Sequence, residues 1–126
     1  MELEVGSPFE FVWRNDELSD PPGERPAGFS EEHRMQSRIT ECDPPRRLSF
    51  TWSDSGDVTF LLEPRGKDVL LTVIHRRLAD SVRLSVAAGW HMHLDVLAAR
   101  ANGRAPEPFW PGWQRLRAEY EKRLSA

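Results

Sequence analysis

The stretch Asp43-Pro44-Pro45-Arg46-Arg47-Leu48-Ser49-Phe50-Thr51-Trp52 decides the fold of this 126-residue chain. Neither proline can donate to a ladder of hydrogen bonds, so the pair forces a turn between two strands. Beyond it, Leu48, Phe50 and Trp52 alternate with Ser49 and Thr51. That period of two marks a half-buried strand over Arg47–Ser53, with its apolar side chains on one face.

Downstream, Asp54-Ser55-Gly56-Asp57 and Pro64-Arg65-Gly66-Lys67-Asp68 are turn signals that separate two further strands. Val58–Glu63 turns Val58, Phe60 and Leu62 inward, and Val69–Arg77 does the same with Val69, Leu71, Val73 and His75. Upstream, Glu31–Asp43 reads as a strand with Met35 and Ile39 on one face, polar enough for an edge or a half-exposed place. Pro8–Arg14 reads as another, with Phe9, Phe11 and Trp13 alternating with Glu10, Val12 and Arg14. Asn15–Phe29 lies between these two; Pro21, Pro22, Gly23, Pro26 and Gly28 make it a loop of the length that is often functional or mobile.

After the last strand the period changes. Val82, Val86, Trp90, Leu94, Leu97 and Ala101 recur at spacings of three and four, the stripe of an amphipathic helix. Asp80 or Ser81 is its expected cap, and Asn102-Gly103 a left-handed stop. Past Pro106 and Pro108, Trp113, Leu116, Tyr120 and Leu124 form a second helical stripe. Strands first and helices after is an α+β order, with helices packed on one face of an antiparallel sheet.

Hydrophobic residues make up 39% of the chain and charged residues 29%, a globular balance, and five tryptophans and six phenylalanines supply much of the core volume. The net charge is −3 and the basic clusters are short and diluted by acids, which argues against nucleic acid as a partner. Cys42 is the single cysteine, so no intramolecular disulfide forms; it reads as a buried structural thiol in a reducing cytoplasm. The N-terminus lacks the pattern of a signal peptide, and no apolar run is long enough to span a bilayer. The expected location is therefore cytoplasmic.

Four segments, in order, carry a resemblance. Asp43–Trp52 is similar to an "E-x-x-P-P-x-R-L-x-F-T-W" hairpin, and Gly6-Ser7-Pro8-Phe9-Glu10-Phe11 to a "G-G-x-F-x-F" strand. Val58–Pro64 through Leu71–His75 resembles "V-T-x-x-L-E-P … L-T-L-T-H". Gly89-Trp90-His91-Met92-His93-Leu94-Asp95-Val96-Leu97 resembles "G-W-x-x-x-L-D-x-L". These are motifs of the bacterial domains that resemble the C-terminal part of the heat-shock-protein-90 ATPase activator, within the START/SRPBCC superfamily. The resemblance implies a helix-grip fold: a curved antiparallel sheet packed on a long C-terminal helix, here with an extra terminal helix. It implies one domain over 1–126, with sheet and main helix in 6–103 and a helical extension in 107–125. Family domains usually start with another strand and two short helices, so a shortened start is expected to leave a sheet edge uncovered, open to a homodimer. The superfamily holds lipid carriers, cyclases, hormone receptors and chaperone cofactors, so the fold alone does not settle function.

The resemblance implies a cavity more firmly than a reaction. Phe11, Trp13, Phe50, Trp52, Phe60, Val73, His75 and Trp90 are the expected lining for a small apolar or aromatic molecule; filling the core is the competing reading of the same aromatics. His75, ending an inward run, could orient a ligand or act as an acid or base, or be a satisfied rim histidine. His91 and His93 lie two apart on a helix and face away from each other, so they read as ordinary hydrogen-bonded side chains rather than metal ligands. His91 and Asp95 read as an i,i+4 surface pair. No nucleophile elbow or glycine-rich loop before a helix is present, and no cofactor or metal is expected. A binding protein is the leading reading. A cyclase- or hydrolase-like enzyme using His75 and a protein-interaction module are the alternatives. Trp110 and Trp113 are expected to anchor the last helix.

Overall fold

A computed structural model describes residues 2–52 and 56–124 of the chain. Among them are five strands, β1 (Pro8–Trp13), β2 (His33–Asp43), β3 (Arg47–Thr51), β4 (Asp57–Arg65) and β5 (Asp68–Arg76), and two α-helices, α1 (Arg83–Ala101) and α2 (Phe109–Leu124). Ser53, Asp54 and Ser55, in the expected third strand and its turn, and Ser125, in the expected helical extension, lie outside the described residues. The chain forms two compact units. One comprises the residues up to Val12 with Arg34–Ala79; the other comprises Trp13–His33 and the chain from Asp80 onward.

The first unit is built on the sheet, whose strands lie in the order β1-β2-β3-β4-β5. The sequential hairpins follow the turn signals. Arg46 N–H donates to the Asp43 carbonyl at 2.8 Å across Pro44-Pro45, and Trp52 N–H to the Gly56 carbonyl at 3.0 Å. Register then decides which side chains share a face. Phe50 pairs with Ile39 and Val58, and Val58 with His75; Leu48 pairs with Cys42 and Phe60, and Phe60 with Val73. Directly paired residues point to the same side of a sheet. One face is therefore apolar and aromatic. The other carries the buried Ser49 and Thr59, whose hydroxyls bond at 2.8 Å. A register shift between Ile39 and Glu41 keeps this alternation in step across a bulge.

Gly56 shows what closes the β4–β5 side. Its φ is +89°, and a Cβ there would fall 1.8 Å from the Arg76 carbonyl oxygen, so only glycine fits. Cys42 is half-buried rather than buried: it lies next to last in β2, where its Sγ faces the Leu3 carbonyl at 3.4 Å.

In the second unit, Ala88, Met92 and Val96 of α1 pack with Phe109, Trp110, Trp113 and Leu116 of α2, and Ala99 is buried on α1 as well. This corrects the expected α1 stripe: Leu97 and Val82 are exposed, and the smaller row is the buried one. The reason is close approach. Gly112 of α2 sits where a Cβ would come within 2.7 Å of Met92 Sδ, so the seam is set by small residues rather than by the largest ones. The start of α1 also differs from expectation. Asp80–Val82 forms a 3₁₀ turn, and Val82 at the cap makes no side-chain bond. Its end agrees: Asn102 is followed by Gly103 at φ +67°, and Arg104 N–H donates to the Ala99 carbonyl at 2.8 Å.

The 15–29 loop is stitched to α2. Phe109 N–H donates to Ser19 Oγ at 2.8 Å and Trp110 N–H to the Pro22 carbonyl at 3.0 Å, satisfying donors that a helix start leaves open. Asp16 accepts the Trp110 indole N–H at 2.7 Å on Oδ1 and pairs with Arg25 at 2.5 Å through Oδ2.

Candidate functional site

Six of the eight residues expected to line a cavity stand together on the apolar face of the sheet: Phe11, Phe50, Trp52, Phe60, Val73 and His75. Period-two alternation aims them to one side, and the hairpin registers align them across strands. The rings then touch in sequence. Phe50 is 1% exposed and lies 5.3 Å from Phe11 and 5.3 Å from Phe60, the latter edge to face. Phe11 meets Trp52 at 5.9 Å, and Trp52 meets the His75 imidazole edge to face at 5.0 Å. Such tilted and edge-on pairs are the preferred geometry for aromatic quadrupoles.

Phe50 holds this row from beneath, and Phe11, Trp52, Phe60, Val73 and His75 are half-buried. Phe9 also belongs to it, 5.1 Å from Phe11 and 5.6 Å from Phe50. It is missing from the expected list although its alternation with Phe11 and Trp13 is the signal that finds it. Chemically the row offers apolar burial with one imidazole among the rings.

The other two expected residues belong to the second unit. Trp90 is half-buried on α1. Trp13, the last residue of β1, stacks on His33 at 5.3 Å with 25° between the rings. Trp110 and Trp113 are buried and anchor α2, as expected.

The remaining histidines have their own partners. His91 Nδ1 lies 3.0 Å from the Tyr120 hydroxyl, and its Nε2 is 3.8 Å from Asp95, the i,i+4 pair read from the sequence. His93 Nδ1 lies 2.7 Å from the Gly89 carbonyl and Nε2 3.1 Å from Asn15 Oδ1. Burial disfavours its charged form and lowers its pKa below the ordinary 6.5, against a smaller opposing pull from the Gly89 carbonyl. A carbonyl can only accept, so the Gly89 contact places a ring proton on Nδ1. On the polar face of the sheet, hydrogen bonds from Ser49 and then Arg47 hold Glu41 below the usual carboxylate range. Among the described residues no three His, Cys, Asp or Glu side chains are grouped to hold a metal ion, and no helix is long and apolar enough to cross a membrane.

Comparison with known proteins adds two findings. The model of the family described as "Activator of Hsp90 ATPase homolog 1-like protein" matches residues 1–102. The solution NMR structure of the protein encoded by gene BPP1335 of Bordetella parapertussis is similar, with 32% identity and a TM-score of 0.77 over 98% of this chain and 68% of that one. No protein of curated function matches.

Proposed function

The chain belongs to the activator of Hsp90 ATPase homolog 1-like family, and on that premise we propose that it binds a small apolar or aromatic molecule against the aromatic face of its sheet. The observation that carries this reading is the continuous row Phe50–Phe11–Trp52–His75, with Phe60 on its other side. Half-buried rings backed by one fully buried phenylalanine supply transfer energy of about 25 cal/mol per Å² of ligand surface covered. His75 supplies one directional hydrogen bond, which fixes a ligand's orientation more than its affinity. The cytoplasm, where the Cys42 thiol stays reduced, is the proposed location. A homodimer through a sheet edge accompanies this reading: β5 is an edge strand and exposes Val69 at 62% and Leu70 at 43%.

The test is titration with the neutral apolar fluorophore N-phenylnaphthylamine. Saturable enhancement of its emission is expected, weakened about tenfold or more in Phe60→Ser, whose substitution removes one ring of the row. Equal affinity in Phe60→Ser and the parent chain contradicts the proposal.

A further inference from the structure

The second unit holds a cleft of about 340 Å³ lined by Trp13, Asn15, Phe29, Glu31, His33 and Trp110 with the backbone of Gly28 and Ser30 beside them. That size is at the lower end for small-molecule sites. Three of its lining side chains are aromatic, Trp13, Phe29 and Trp110. Phe29 is 43% exposed and lies 5.4 Å from Trp110, while Trp13 is backed by the stacked His33 ring. The walls are also fixed. Trp110 is tied to Asp16 through its indole nitrogen and to the Pro22 carbonyl through its backbone, so its ring does not turn away.

Charge at the cleft has one sign among acids and strong bases. Glu31 is the carboxylate of the lining, and neither lysine nor arginine is part of it. The nearby cations are committed elsewhere: Arg14 pairs with Glu32 at 2.8 Å and Arg25 with Asp16 at 2.5 Å. Glu31 itself makes no hydrogen bond or ion pair among the described residues. Aromatic faces attract a cation through the ring quadrupole, and a carboxylate at the rim adds to that attraction. Neither feature favours an anion or a neutral apolar solute to the same degree.

We propose that this cleft is a binding site for a small organic cation of the alkylammonium class, held between the Trp13, Phe29 and Trp110 rings with Glu31 as its counter-charge. Its lining shares no residue with the row Phe50, Phe11, Trp52, His75 and Phe60, and its occupancy does not depend on the apolar-ligand reading.

The experiment is isothermal titration of the full chain with choline and, in parallel, with its neutral carbon isostere, dimethylbutanol. Choline is expected to bind saturably and at least about tenfold more tightly than the isostere, the size of a partly desolvated cation–π contact. Glu31→Gln, at an exposed position that leaves folding intact, is expected to weaken choline about fivefold or more with an unchanged melting temperature. Equal binding of the two molecules, absence of saturable choline binding at millimolar concentrations, or unchanged choline affinity in Glu31→Gln overturns the proposal. Displacement of N-phenylnaphthylamine plays no part in the readout, so failure of the sheet-face reading leaves this test intact.

Discussion

The indole N–H of Trp110 is donated to Asp16 Oδ1 at 2.7 Å, joining two residues 94 positions apart. Trp110 is 3% exposed, and Asp16 is the acceptor that satisfies its indole nitrogen. The bond fixes the 15–29 loop on the first turn of α2, and with it the wall of the cleft.

Asp16→Ala is therefore expected to destabilise the chain by about 2 kcal/mol, the cost of an unsatisfied buried donor, in urea denaturation. Asp16→Asn keeps an acceptor and is expected to cost about half as much. Trp110→Phe combined with Asp16→Ala should cost less than the two single changes together, because both remove one bond. Additive losses would show that the indole–carboxylate bond is not what links loop and helix.

Gly56→Ala places a methyl group on the Arg76 carbonyl at a φ of +89°. Strain plus displaced backbone is expected to cost about 3 kcal/mol, read as a lowered denaturation midpoint. Gly66→Ala is the control: it also has positive φ, but nothing lies within 4 Å of the added carbon. Its cost should be near 1 kcal/mol, the backbone term alone.

The sequence displays the sheet more fully than the helices, for physical reasons that these residues show. Alternation over Leu48–Trp52 and the prolines and glycines between strands define both faces and registers locally, so Phe50, Phe60, Val73 and His75 are found together. In α1, apolar residues occupy more than one side of the helix. Periodicity ranks the stripe of Trp90, Leu94 and Leu97 by size, whereas the contact with α2 selects Ala88, Met92 and Val96 by closeness. The loop is the least legible part. Its bonds from Ser19, Pro22 and Asp16 to α2 link residues about ninety apart in sequence, and no local pattern encodes them. The cleft is illegible for the same reason, since Phe29 and Trp110 come together only through that stitching.

His93 makes stability depend on pH. Its folded pKa lies below the ordinary 6.5 because burial resists the charge, so the unfolded chain takes up the proton first. The His93 contribution is complete above that ordinary value. It is lost progressively as pH falls from there toward the lower folded pKa. Denaturant melts between neutral and mildly acidic pH should show this decline, and His93→Gln should flatten it. An unchanged slope in His93→Gln would assign the dependence to other groups.

Phe50→Ala removes the fully buried ring that Phe9, Phe11 and Phe60 all touch. A loss of about 4 kcal/mol is expected from the lost transfer energy and the cavity left behind. Phe50→Leu should cost clearly less, because most of the volume is kept. Thermal denaturation of both variants measures the difference, and equal losses would show that edge-to-face ring contacts, rather than filled volume, hold the row.

Ligand binding by the aromatic face is tested most directly by nuclear magnetic resonance of side-chain resonances during N-phenylnaphthylamine titration. Phe60 and His75 ring signals and the Val73 methyl signals are expected to shift together and saturate at one common affinity. Saturable binding whose shifts leave these three residues unmoved would contradict a ligand site on the sheet face.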